Sequence, residues 1–76
     1  MMKLFSIYDK VAKRYNSPFM CENEEVAKRS FNASVKGLDW AYDFELYQVG
    51  DINLETGDII PVLVFISGFV GGETNG

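Results

Sequence analysis

Histidine is absent from this 76-residue chain, cysteine occurs once and proline twice. Without an imidazole the chain lacks the side chain best suited to proton transfer near neutral pH, and one thiol cannot build a structural zinc site. No metal or other cofactor is expected. Cys21 cannot form a disulfide within the chain, which suits a reducing compartment, and beside Glu22 it is expected to be buried or inert. Positive charge is scarce as well: seven Lys and Arg against eleven Asp and Glu leave a net charge of −4. Such a chain is not drawn as a whole to phosphate backbones, so nucleic-acid binding requires a local patch working against the global field. Long apolar runs are missing too. The most apolar stretch, "IIPVLVFISGFV" at 59–70, falls short of the about 20 residues that cross a bilayer as a helix. It reads as a strand, and no membrane partner is expected. The opening "MMKLFSIYDK" has neither a signal-peptide apolar region nor a small-residue cleavage site, so export is not expected.

What is present is a 47% hydrophobic, 14% aromatic composition, which fits one compact domain. We place it at residues 1–70, with the polar, glycine-rich 71–76 as a flexible C-terminal tail. A domain of this size buries only roughly 60% of the surface its unfolded chain exposes, so its core is marginal. With disulfides and metals set aside, self-association is the remaining way to add buried surface, and a homodimer or higher homo-oligomer is expected.

The expected order is ββαββ. "KLFSIY" at 3–8 has strand composition, and "RYNSPFMC" at 14–21 returns after a charged connector as the second strand of a hairpin. Pro18 cannot donate to a ladder, so that strand lies at an edge or bends. A helix follows in "NEEVAKRSFNASVKG". Asn23 is a suitable N-cap, Glu24 and Glu25 complement the positive end of the helix dipole, Lys36 falls in the last turn, and Gly37 can take a left-handed conformation. The apolar stripe is Ala27, Phe31, Ser34 or Val35, and Leu38, with Val26 beside it; Glu24 with Lys28 and Glu25 with Arg29 make i, i+4 pairs on the other side. After the link "LDWAY", a third strand is expected at 44–49, a connection at 50–58 with Gly57 at positive φ, and a fourth strand from Ile59. One helix on an antiparallel four-stranded sheet gives a two-layer α+β fold.

The acid-rich "DFELYQVGDINLETGDI" at 43–59 invites a metal reading. An EF-hand loop counted from Asp51 places Asn53 and Glu55 on ligand positions, but Thr56 stands sixth where glycine belongs and Val62 twelfth where glutamate belongs. The match fails, and these acids read as turn residues. Asp43 and Glu45 share a strand face, but with no histidine and no nucleophile beside a base, neither an enzyme nor a small-molecule substrate is expected. "NAS" at Asn32 matches a glycosylation sequon but falls inside the helix of a chain with no export signal.

Two constellations remain. Lys10, Lys13 and Arg14 cluster around the first hairpin connection between Tyr8 and Tyr15, a spacing that offers bases a stacking surface and phosphates a partner; Lys28 and Arg29 extend the strip if the helix end faces the same way. The final strand is apolar on both faces, while one helix covers only one side of a sheet. Its residues Ile60, Val62, Val64 and Ile66 are therefore candidates for an oligomer interface.

The blocks "MKLFSIYDKVAKRYNSPF", "NEEVAKRSF" and "DFELYQVGDINLETGDI", in that order and spacing, resemble the small nonstructural protein of gokushovirus-type microviruses. The resemblance runs from about Lys3 to Leu63 and includes Pro61 after the glycine turn. Members carry a longer connector with proline and histidine before the "DFELY" strand, where this chain has "KGLDWAY". The resemblance implies a viral accessory protein of the host bacterial cytoplasm that binds DNA, single-stranded by preference, during genome synthesis or packaging. The alternative is an adaptor that binds a viral replication or capsid-assembly protein through its acidic surface and apolar C-terminal strand.

Overall fold

The computed structural model describes residues 1–70. It runs β1 (Met2–Asp9), β2 (Arg14–Tyr15), β3 (Phe19–Cys21), α1 (Glu24–Val35), a 3-10 turn (Ala41–Asp43), β4 (Phe44–Ile52) and β5 (Ile59–Gly68). The strands form one antiparallel sheet in the order β2-β1-β4-β5, with β3 on the same side of β1 as β2. The class is the expected α+β, one helix against an antiparallel sheet. The expected tail at 71–76 lies outside the described residues.

The expected second strand is divided into β2 and β3. Tyr15 lies opposite Tyr8 and Phe19 opposite Phe5, so residues 16–18 face only Ser6 and Ile7. This one-residue bulge falls where Pro18 cannot donate to the ladder. Asn16 bridges it, donating its N–H to the Ile7 carbonyl at 2.8 Å and accepting from the Ser6 hydroxyl at 2.6 Å.

The helix follows its capping chemistry. Asn23 is extended and its side chain accepts from the Val26 N–H at 3.0 Å, with Glu24 and Glu25 in the first turn. Gly37 takes φ +89° just past the end. Lys36 is the C-cap rather than a last-turn residue. Leu38, expected on the buried stripe, lies beyond the helix and is exposed. Neither expected i, i+4 ion pair is found; Lys28 pairs instead with Glu25 at i, i+3, 3.7 Å apart.

β4 continues past its expected end at Val49 to Ile52. Gly50 and Asp51 have turn composition, yet the turn comes later, where Asn53 accepts from the Glu55 and Thr56 N–H groups and Gly57 takes φ +81°. Gly50 has a different role: it lies between Leu4 and Pro61 in the sheet, and a Cβ there would come 3.0 Å from the Ile60 carbonyl oxygen.

The core lies between α1 and one face of the sheet: Phe5, Cys21, Ala27, Phe31, Val35, Ala41 and Leu46, with Ile7, Phe19, Val26, Phe44, Ile66 and Phe69 packed around them. Cys21 is buried and unpaired, as expected. The molecule is flat, 42 × 28 × 16 Å, and its radius of gyration of 13.0 Å exceeds the about 11 Å of a compact chain of this length.

Candidate nucleic-acid interface

Side chains alternate along a strand, so the residues that feed the core fix what faces away from it. On β1, Phe5 and Ile7 meet the helix, which sends Leu4, Ser6 and Tyr8 to the helix-free face; on β4, Phe44 and Leu46 do the same for Glu45 and Tyr47. Tyr15 is the cross-strand partner of Tyr8, and Phe65 that of Tyr47. One aromatic ring from each of β2, β1, β4 and β5 therefore gathers on that face. Tyr8, Tyr15 and Tyr47 form a triangle with centroid separations of 4.6, 5.9 and 5.6 Å, and Phe65 joins edge-on to Tyr47 at 5.6 Å. Such tilted and edge-to-face pairs each contribute about 0.5–1.5 kcal/mol beyond burial. Ser6 points to this same face yet is fully buried. Tyr15 and Phe65 remain exposed at 41% and 52%, so the cluster is a surface feature and not a second core.

Charge collects at one end of the rings. In the β1–β2 connection Asp9 accepts from the Val11 and Ala12 N–H groups through its carboxylate, at 2.9 and 3.0 Å, and from the Lys13 N–H through its carbonyl, at 2.7 Å. Lys13 is thereby held at φ +60°, a left-handed conformation that costs a non-glycine residue about 1 kcal/mol. Lys10 donates its backbone N–H to the Asp43 carbonyl, which ties the connection to the start of β4, and its ammonium lies 3.9 Å from Glu45. The other Glu45 oxygen accepts from the Tyr47 hydroxyl at 3.3 Å. Partial burial first, and the Glu45 carboxylate second, raise the Tyr47 pKa above its usual value of 10.0, so the phenol stays neutral and a donor at neutral pH.

The structure thus brings Tyr8, Tyr15, Lys10 and Lys13 to one end of the sheet. Arg14 precedes Tyr15 on β2 and alternates to the opposite face, exposed. Lys28 and Arg29 belong to α1, on the far side of the sheet, so they do not extend the strip around the tyrosines. Tyr47 and Phe65 complete the cluster, although sequence reasoning gives them no role. The alternation of Glu45, Leu46 and Tyr47 carries a signal for Tyr47; Phe65 is hidden in a run that is apolar at every position.

Of the four interface candidates, Ile60 and Val64 are exposed, Val62 is half-buried and Ile66 packs against the subunit's own core. Among the described residues β5 pairs only with β4 and forms a sheet edge, along which Ile59, Leu63 and Phe65 are also exposed. An open depression lined by Met1, Met2, Asn53, Leu54 and Glu55 lies at the other end of β1 from the tyrosines. Among the described residues no group of three or more His, Cys, Asp or Glu is placed to hold a metal ion, and no helix is long and apolar enough to cross a membrane.

Comparison with known proteins adds one finding. A family model described as Phage ORF5 protein matches residues 2–69, a span that takes in α1 and all five strands. Neither the curated proteins nor the solved structures yield a match to the chain.

Proposed function

This chain belongs to the Phage ORF5 protein family, and from that premise we propose that it is a non-enzymatic accessory protein that binds single-stranded DNA during phage genome synthesis or packaging. Its place of action is the host bacterial cytoplasm, and its finer placement is among the gokushovirus-type microviruses. The observation that carries the reading is the four-ring cluster on the helix-free face, with Lys10 and Lys13 in the connection at its end and Arg14 exposed on the other face of β2. Bases stack on exposed rings for about 1–3 kcal/mol each, and the stacking is indifferent to sequence. The contact between Lys10 and Glu45 is long, 3.9 Å, and its lysine is half-exposed while Glu45 is partly covered; such a pair is weak, about 1 kcal/mol, so a phosphate can compete for the ammonium. Two or three neutralised phosphates give a plot of log affinity against log salt with a slope of about −1.4 to −2.1. The net charge of −4 keeps binding local to this end of the molecule.

Fluorescence anisotropy with labelled single-stranded oligonucleotides tests this. Wild type binds at low salt; Lys13→Ala with Arg14→Ala weakens binding evenly across sequences and flattens the salt slope by about 1 or more. Tyr8→Ala, with its fold checked by circular dichroism, loses one stacking platform. An absence of wild-type binding at low salt refutes the reading and favours a second one, an adaptor for a replication or capsid-assembly protein. The exposed apolar residues of β5 and the acidic charge balance support that alternative.

A further inference from the structure

The four rings share their face of the sheet with one carboxylate. Cross-strand pairing sets Tyr15, Tyr8, Glu45 and Gly68 in a single row across β2, β1, β4 and β5, and Tyr47 and Phe65 stand opposite one another in the row beside it. Glu45 therefore lies between the tyrosine pair on one side and a residue without a side chain on the other. A Cβ added at Gly68 would meet nothing within 4 Å, so the space over it is open, next to the exposed ring of Phe65. We propose that Glu45 is a specificity-determining residue of the interface: a base stacked on Phe65 over Gly68 turns its Watson–Crick edge to the Glu45 carboxylate, which selects for guanine and against thymine in single-stranded DNA. The inference rests on the DNA reading and deepens it.

Glu45 and Phe65 are diagonal neighbours on adjacent strands, a separation that long side chains and rings bridge. A carboxylate accepts hydrogen bonds and donates none, so the donors along the base edge decide the order. Guanine presents N1–H and its N2 amino group side by side, two donors for two oxygens. Cytosine and adenine present one amino group next to an acceptor. Thymine presents one N–H between two carbonyl oxygens, and the carboxylate repels both, so the site rejects one base by the same charge that favours another. Glu45 has capacity for this role. One oxygen accepts from the Tyr47 hydroxyl at 3.3 Å and the other lies 3.9 Å from the Lys10 ammonium, two contacts where a carboxylate offers about four lone-pair sites. A phosphate that takes the Lys10 ammonium frees that second oxygen, so capture of the backbone at the connection readies the carboxylate for a base. The same negative charge keeps phosphates off the middle of the sheet and leaves the rings to the bases.

Fluorescence anisotropy with labelled oligonucleotides of about six nucleotides, differing only in one central base, tests the proposal. Wild type is expected to bind the guanine version about tenfold more tightly than the thymine version, with cytosine and adenine between. Glu45→Gln keeps the shape and an acceptor for Tyr47, and is expected to bind all four alike. Gly68→Val has room for its side chain and suits a strand, so it is expected to keep its circular dichroism spectrum while losing the guanine preference. A wild type that binds the four bases alike, or a Glu45→Gln protein whose affinity shifts evenly with the preference intact, overturns the proposal and leaves DNA binding standing; the carboxylate then only holds Tyr47 and Lys10. Gly68→Val that binds as wild type puts the base elsewhere and overturns it too. A wild type that binds none of the oligonucleotides removes the DNA reading together with the base preference.

Discussion

Lys13 occupies a position that favours glycine on conformational grounds, at φ +60°, and it is an exposed residue of the connection at the end of the aromatic cluster. Fold and proposed function therefore pull in opposite directions at this residue. Lys13→Gly is expected to stabilise the domain by about 0.5–1 kcal/mol, read as a higher urea midpoint, while weakening oligonucleotide binding. A substitution that weakened both would instead mean that the lysine supports the turn. Ser6 shows the complementary logic: a small residue whose hydroxyl donates to Asn16 at 2.6 Å closes the bulge between β2 and β3 and is fully buried on the aromatic side. No feature of "KLFSIY" marks that serine as interior, because its cover comes from across the sheet.

Among the elements, α1 was the most legible, since capping is decided within a few residues. Asn23→Ala removes the bond to Val26 and is expected to cost about 1 kcal/mol in thermal or urea unfolding. The turn around Gly57 is equally local and equally readable, as was the meeting of Tyr8 with Tyr15 across a short hairpin. Elements defined by distant partners were not. The extension of β4 through Gly50 and Asp51 depends on the approach of Leu4 and Ile60 from other strands, whereas the composition there reads as a turn. The bulge at 16–18 was only half visible, as a bend at Pro18. The far halves of the candidate site, Tyr47 and Phe65, depend on sheet register, which single-strand patterning does not contain. Lys28 and Arg29 failed to join it for the same reason: the side of the sheet taken by the helix is a tertiary outcome.

At the scale of the whole molecule, a layer 16 Å thin and 42 Å long with a small one-sided core has little stability to spare. The homo-oligomer expected from so small a core couples folding to association by mass action, so the midpoint of thermal unfolding is expected to rise with protein concentration; a flat midpoint would mean a monomer. Calorimetry over a hundredfold concentration range reads the difference. The two edges of the sheet are alike in one respect. One is broken by the bulge at 16–18 with Pro18, and the other, β5, carries Pro61 and gains an extra residue against β4 between Pro61 and Val64 and again at Ile66. Neither side offers an unbroken row of backbone donors and acceptors, so a greasy ribbon that would otherwise seed endless filaments is kept from templating them.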